Sequence, residues 1–262
     1  MNLAMLIAAG GAAGALGAMF GIGGGVLLVP LLALVFGVPL ADAVPASLMC
    51  VVANSCAAAA NYVDKGLVDV RLALTLEMAT VAGAIAGGLV AGFMSAAGLA
   101  LLFGCFALYV GTQMVLVRSR RDEVELAGGD GYQPKNLPLG IGGSAVAGGL
   151  SSLLGVGGGP LKVPLMAYGM GVPFKVATAT SNLTIGITGA ASLSMYAWRG
   201  QLNLALTAPL VVGVLLGAQV GSRLMIVAPT GLLRRLFGVI LISIALQMLM
   251  KGGQSFWPAA WM

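Results

Sequence analysis

Apolar stretches, most of them long enough to cross a bilayer, follow one another along almost the whole chain. The 262 residues are 59% hydrophobic and only 8% charged, whereas a soluble domain carries about 25% charged residues. A helix of about 20 apolar residues spans the hydrocarbon core of a membrane. We therefore predict an all-α, polytopic membrane protein whose partner is the lipid bilayer. Its basic residues are scattered at the ends of apolar segments, so no nucleic-acid partner is expected.

Five apolar segments can be read in each half of the chain. They are 3–20, 24–37, 42–62, 71–94 and 98–117, followed by 137–154, 158–170, 175–197, 203–226 and 231–250. The second segment of each half is short, because at about 1.5 Å per residue it reaches only ~20 Å of the ~30 Å hydrocarbon core. These two segments are predicted to be half-helices or parts of re-entrant hairpins.

The two halves are related in sequence at a constant offset of 134 residues. The stretch GIGGGVLLVPL at 21–31 recurs as GVGGGPLKVPL at 155–165. Further matches at the same offset are Gly37-Val38-Pro39 with Gly171-Val172-Pro173, Ser47 with Ser181, Tyr62 with Tyr196, and Gln113 with Gln247. The repeat unit is therefore a whole half. We predict repeat one at 1–117, a polar linker at 118–136 and repeat two at 137–262.

Basic residues predict that the two repeats cross the membrane in opposite directions. Positive charge concentrates on the cytoplasmic side of membrane proteins, which places the linker 118–136 in the cytoplasm. Loops at equivalent positions of the two halves carry opposite charge bias, which is typical of inverted-topology repeats. An odd number of crossings per half, three plus a hairpin or five, would then place both termini outside. The residues that set this bias are Lys65, Arg71, Arg118, Arg120, Arg121, Arg223, Arg234 and Arg235.

The paired glycine clusters are candidates for a substrate site. Glycine lets the chain turn inside the membrane and lets a ligand approach closely. A half-helix that begins there presents unpaired amides and the positive end of its dipole, so two converging N-termini would bind an anion. The alternative is that the glycines only permit close helix packing. The candidate residues are Gly23, Gly24, Gly25, Gly157, Gly158 and Gly159.

Charged and polar residues extend this candidate site. All eight carboxylates lie at or before Asp130, so repeat two cannot supply a carboxylate-based cation site. Lys162 lies in the short segment of repeat two, either as a substrate-binding cation or as a side chain that reaches the cytoplasmic interface. Hydroxyls and amides on the third segments can donate to anion oxygens, or can simply join helices. These further candidates are Ser47, Asn54, Thr180, Ser181 and Asn182.

Glu77 is a possible proton relay if it is intramembrane, but it could equally lie at the interface near Arg71 without a function. The chain has no histidine, and its three cysteines show no metal-ligand spacing, so neither a metal nor a cofactor is expected. No serine or cysteine lies beside a recognisable base, so an intramembrane enzyme is the least favoured class.

The doubled motif resembles the sulfite exporter TauE/SafE family of bacterial permeases. The resemblance rests on Gly-x-Gly-Gly-Gly followed by Pro-Leu in both halves, on Gly-Val-Pro, and on the stretches 43–47 and 177–181. It covers nearly the whole chain, although repeat one has Val-Pro-Ala-Ser where the family usually shows Ala-Thr-Ser. It implies a bacterial inner-membrane transporter, commonly an exporter, for small sulfur-containing anions such as sulfite or C2 organosulfonates like sulfoacetate. A passive anion channel and a permease for another small organic anion are the alternatives.

Overall fold

The computed structural model describes residues 3–116, 133–227, 238–239 and 241–250. Within these ranges the regular structure is entirely helical, which confirms the all-α prediction. The helices are α1 Leu3–Phe20, α2 Gly25–Pro30, α3 Leu40–Val63, α4 Val70–Ala91, α5 Ala96–Leu116, α6 Leu137–Leu154, α7 Gly159–Pro164, α8 Phe174–Trp198, α9 Leu204–Val227 and α10 Leu241–Met250. The arginines at 118, 120, 121, 234 and 235 lie outside the described residues.

Five of these helices are long and apolar enough to cross a membrane. They are α1, α3, α4, α6 and α9. Large apolar side chains point outward from them, including Leu74 and Met78 on α4 and Leu216 on α9. Such surfaces suit contact with lipid rather than water. The prediction of a polytopic membrane bundle is therefore confirmed.

The two short apolar segments are interrupted as the sequence predicted. Helix α2 has 6 residues and continues as a π-helical turn at Leu31–Val35, while α7 has 6 residues and continues as a π-helical turn at Leu165–Gly169. Each π turn begins directly after a proline, Pro30 or Pro164. Proline has no N–H and its ring displaces the carbonyl four residues earlier, so the helix widens at this point.

The two halves interlock through glycine-lined helix contacts. Helix α1 packs against α9, and α6 packs against α4. At the first contact Gly217 lies against the carbonyl of Gly11, and at the second Gly83 lies against the carbonyl of Ala145. Any side chain at these glycines would collide with the opposite backbone, which is how small residues allow membrane helices to approach closely. Much of the glycine content is thus explained by packing alone.

Equivalent residues of the two halves make equivalent contacts. Tyr62 donates from its hydroxyl to the Ala18 carbonyl at 2.8 Å, and Tyr196 donates to the Ser152 carbonyl at 2.8 Å. Both tyrosines therefore fasten the third helix of their half to the end of the first. The sequence repeat thus has a structural counterpart at the level of individual hydrogen bonds. The opposite membrane orientation of the halves stays a prediction.

Candidate functional site

The chain reverses at the two glycine clusters, residues 21–24 and 155–158, which we name break one and break two. Gly24 and Gly158 are the N-caps of α2 and α7, with φ of 80° and 75°. L side chains rarely adopt this left-handed conformation, so glycine is required at both N-caps. The sequence motif therefore fixes the start of both short helices.

The two breaks lie directly against one another. A side chain on Gly25 would collide with the carbonyl of Gly155, and one on Gly159 would collide with the carbonyl of Gly21. Serines from the third helices close the contact. Ser47 Oγ donates to the Gly155 carbonyl at 2.7 Å, and Ser181 Oγ donates to the Gly21 carbonyl at 2.8 Å.

These serine contacts are reciprocal, because each serine bonds the break of the opposite half. Ser47 belongs to repeat one and bonds break two, whereas Ser181 belongs to repeat two and bonds break one. The predicted juxtaposition of the two motifs is therefore present in the structure. In this arrangement both hydroxyl protons are used on backbone carbonyls rather than directed at a ligand site.

The amides at the start of both short helices, and those just before them, find no acceptor among the described residues. Unpaired amides are expected where any helix begins. Their environment is fully buried, so these N–H groups and the helix dipoles behind them create positive potential inside the protein. The amides concerned belong to Gly24, Gly25, Val26, Gly157, Gly158 and Gly159.

Apolar side chains cover the breaks. Val51 on α3 contacts the positions of Gly23 and Gly157, and its repeat equivalent Ile185 on α8 lies against the same two glycines. A small, mostly apolar recess adjoins Ile22 of break one and helix α7. Its lining residues are Ile22, Val110, Gln113, Pro160, Val163, Pro164, Tyr168 and Phe174.

A buried ion pair lies beside break two. Lys162, in the last turn of α7, is 1% exposed and places its Nζ 2.5 Å from Glu77 Oε2. Lys162 Nζ also donates to Thr184 Oγ1 at 3.2 Å, and Thr188 Oγ1 donates to Glu77 Oε1 at 2.6 Å. We name these four residues the charge cluster.

Two sequence alternatives are wrong. Lys162 does not reach the interface, because its side chain is fully enclosed, and Glu77 does not lie at the surface near Arg71, because it is 4% exposed while Arg71 is exposed. Lys162, which was predicted to bind the substrate, is itself paired in the structure. Glu77, from repeat one, neutralises it across the interface between the halves.

The charge cluster breaks the symmetry of the two repeats. At the offset of 134, Lys162 corresponds to Leu28 and Glu77 corresponds to Val211. Leu28 is fully buried, and Val211 is partly buried against the apolar core. The fold therefore accepts apolar residues at both equivalent positions, and packing does not require the charges of Lys162 and Glu77.

The remaining predicted polar residues have different surroundings. Asn182 Nδ2 donates to the carbonyls of Ala18 and Thr178, at 3.0 and 3.2 Å, so it braces the chain just before break one. Thr180 Oγ1 accepts from the Asp69 amide at 3.0 Å and is thus engaged with the loop before α4. Asn54 is fully buried, and its side-chain amide has no partner among the described residues.

Thr184, Thr188 and Ser151 were not among the predicted site residues. The two threonines stand four residues apart on α8 and thus share one face, and both touch the ion pair. The signal was available, since a lysine in an apolar segment needs a carboxylate and hydroxyl partners. Ser151 lies beside Gly158, and its buried hydroxyl has no partner within the described part of the chain.

A bundle of membrane helices that is broken twice, with buried polar groups beside facing breaks, has the architecture of a membrane transporter. The chain belongs to the TauE/SafE family, because the family model described as Sulfite exporter TauE/SafE matches residues 6–248. The resemblance inferred from the repeated motif is thereby confirmed. The class of protein is a transporter and not an enzyme.

The chain is similar to several membrane proteins from other organisms. It is 29% identical over 260 residues to a "Probable membrane transporter protein" of Xylella fastidiosa (strain Temecula1 / ATCC 700964), with 97% of each chain covered. It is 25% identical over 273 residues to "Probable membrane transporter protein YunE" of Bacillus subtilis (strain 168), covering 96% of this chain and 99% of that one. It is 31% identical over 200 residues to "Probable membrane transporter protein MJ0441" of Methanocaldococcus jannaschii, covering 74% and 72%. No solved structure matches the chain.

Proposed function

We propose that this transporter carries small sulfur-containing anions, such as sulfite or a C2 organosulfonate like sulfoacetate, and that it works as an exporter. The observation that carries the proposal is the meeting of two breaks whose buried amides lack acceptors among the described residues. A sulfonate or sulfite group offers several oxygens that accept such hydrogen bonds. The family description supplies the sulfur chemistry, and the geometry supplies the preference for negative charge.

Access to these amides requires the breaks to separate. Gly25 and Gly159 are in backbone contact with the opposite break, so an anion enters only when the two repeats move apart. Rocking of one repeat against the other is how repeat-built transporters expose a central site to each side in turn. Val51 and Ile185 cover both breaks from one side, which favours a carrier over a continuously open anion channel.

We propose the site and the membrane orientation as follows. The glycines of both breaks, Lys162, and the side chains of Ser47, Asn54, Ser181 and Asn182 line the anion's path once the breaks separate. The two repeats, 1–117 and 137–262, have inverted topology in a bacterial inner membrane. The linker 118–136 is cytoplasmic and both termini are outside. Thr180, engaged with the Asp69 amide, holds the entrance of α4 in place.

The direct test is exchange of radiolabelled anions by the purified protein in liposomes. We expect saturable counterflow of sulfite or sulfoacetate, with taurine, thiosulfate and acetate as competitors in the same assay. A Gly158→Leu variant should lose counterflow because it fills the break, whereas Gly142→Leu is the matched control since nothing lies within 4 Å of that glycine's missing side chain. Equal counterflow in both variants, or no counterflow of any sulfur anion by the unmodified protein, would refute the proposal.

A further inference from the structure

We propose that Glu77 and Lys162 form a coupling site at which one proton and the transported anion bind together, so that the carrier is a proton–anion symporter. This inference rests on the proposed transport function and adds to it the identity of the coupling ion. It is carried by three observations, which are the isolation of the pair, its absence from the repeat-equivalent positions, and its hydrogen-bonded link to both breaks.

The pair is isolated from other charges. Helix α4, which carries Glu77, packs against α6 and α8, and α6 contains no titratable side chain. The titratable side chains on α8 and at its C-cap Arg199 point elsewhere. Lys175 donates to the Ile226 carbonyl, Tyr196 to the Ser152 carbonyl and Arg199 to the Leu89 carbonyl. On α4 itself Arg71 is exposed at the helix start. Of the described residues on these helices and α7, Lys162 alone faces Glu77 with a charge.

The fold does not require the pair. A buried ion pair is expensive to desolvate, and apolar residues of similar volume often replace it without loss of stability. The repeat-equivalent positions show this replacement in the same molecule, since Leu28 of repeat one corresponds to Lys162 and Val211 of repeat two corresponds to Glu77. A charge pair present at only one of the two equivalent places is therefore better explained by a function that needs charge.

Electrostatics determine what that function is. With Glu77 ionised and Lys162 protonated, the cluster is neutral, and an added anion would leave net negative charge in a region of low dielectric. When Glu77 Oε2 takes up a proton, Lys162 Nζ keeps its three protons and exchanges the carboxylate for an anion oxygen. Thr188 continues to bond Glu77 Oε1. Proton and anion thus favour each other's binding, by the same factor in each direction.

Hydrogen bonds connect this exchange to the breaks. On one side, the Lys162 amide donates to the Gly158 carbonyl of break two at 3.1 Å. On the other side, Thr184 accepts from Lys162 Nζ and donates to the Ser181 carbonyl at 3.1 Å, while the Ser181 hydroxyl bonds the Gly21 carbonyl of break one. When Lys162 Nζ exchanges Glu77 for the anion, the hydrogen bonds that connect Lys162 to break one and to break two change as well. These are the two elements that must separate during transport.

Symport sets the direction of the driving forces. A dianion such as sulfoacetate that travels with one proton carries a net negative charge, so an inside-negative membrane potential favours export. A pH gradient that is acidic outside opposes export and drives accumulation. These two opposite responses distinguish symport from a simple uniport, which would respond to the potential alone.

The experiment uses the full chain in liposomes with labelled sulfoacetate, whose sulfonate and carboxylate stay ionised near neutral pH. We expect an acidic exterior to drive accumulation, with proton uptake reported by an internal pH dye. The half-saturation concentration should rise with pH, by up to about tenfold per pH unit if one proton binds with each anion. Glu77→Gln should keep counterflow, lose accumulation and show a flat pH profile. Asp64→Asn, which removes an exposed carboxylate at the end of α3, should behave as the unmodified protein.

Each outcome decides between the two proposals. Sulfoacetate counterflow without proton uptake, or Glu77→Gln with undiminished pH-driven accumulation, overturns the symport inference and leaves the transport function standing. Absence of counterflow of both sulfite and sulfoacetate by the unmodified protein overturns both. If Glu77→Gln does not fold, Thr188→Val serves instead. It removes the hydroxyl that donates to Glu77 Oε1, so the pH dependence of accumulation must differ from that of the unmodified protein, and an unchanged pH dependence contradicts the inference.

Discussion

Replacing each residue of the ion pair by its equivalent in the other repeat gives a quantitative prediction. Lys162→Leu and Glu77→Val together convert the charge cluster into the composition found at Leu28 and Val211. The side chains of Lys162 and Glu77 are only 1% and 5% exposed, so removing either partner alone leaves a buried, unpaired charge, which typically costs about 3–5 kcal/mol. The double variant leaves no unpaired charge, so its stability should lie within about 1–2 kcal/mol of the unmodified protein, the remainder being imperfect packing.

Thermal unfolding in detergent measures this cycle. For a chain of this size about 1 kcal/mol corresponds to roughly 2–4 °C, so each single variant should unfold on the order of 10 °C lower and the double variant should recover most of that loss. Anion transport should nevertheless be lost in the double variant, because the cation near break two is gone. If the double variant lost as much stability as the two single variants combined, the view that the fold tolerates apolar residues here would be refuted.

The single variants should also respond to pH with opposite sign. In Lys162→Leu the unpaired Glu77 has a lower free-energy cost of burial when it is protonated, so the stability of the variant should rise as pH falls. In Glu77→Val the unpaired Lys162 has a lower free-energy cost of burial when it is neutral, so the stability of the variant should rise as pH rises. The double variant should show neither slope. Parallel slopes in the two single variants would contradict the assignment of the pair.

Four further variants and one control test the breaks and their surroundings. Gly25→Ala places a methyl group against the carbonyl of break two and should cost about 1–3 kcal/mol with loss of transport, while Gly142→Ala should change neither stability nor flux. Ser47→Ala and Ser181→Ala each remove one hydrogen bond to the opposite break and should lower stability equally, by about 1 kcal/mol in thermal unfolding. Asn54→Leu removes a buried amide without a partner in the described ranges, so it should raise stability by about 1 kcal/mol while weakening sulfoacetate binding in a titration. A loss of stability in Asn54→Leu would contradict this.

Much of the helical framework could be predicted from the sequence. The first segments of both halves, 3–20 and 137–154, end where the helices end, and the glycine clusters mark both chain breaks. The fourth segment was predicted to reach 94 but α4 ends at Ala91, because hydropathy continues past Gly92 while the helix does not. Apolar composition reports which residues avoid water, and it is less sensitive to where a helix stops.

The charge cluster could not be placed from the sequence in the same way. Its two charged residues are 85 positions apart and belong to different repeats, and periodicity does not reveal which helices meet. The serines show the same limit. Ser47 and Ser181 were predicted near the breaks and lie there, but their bonding to the opposite break depends on how the halves interlock. Partner choice is a tertiary property, whereas the position of a break is a local one.

The most direct measurement is an experimental structure of the protein determined with sulfoacetate bound. The account predicts ligand density between residues 21–25 and 155–159, with sulfonate oxygens within hydrogen-bonding distance of the first amides of both short helices and of Lys162 Nζ. Density confined to the apolar recess beside Tyr168 and Phe174, with the two breaks still in contact, would contradict it.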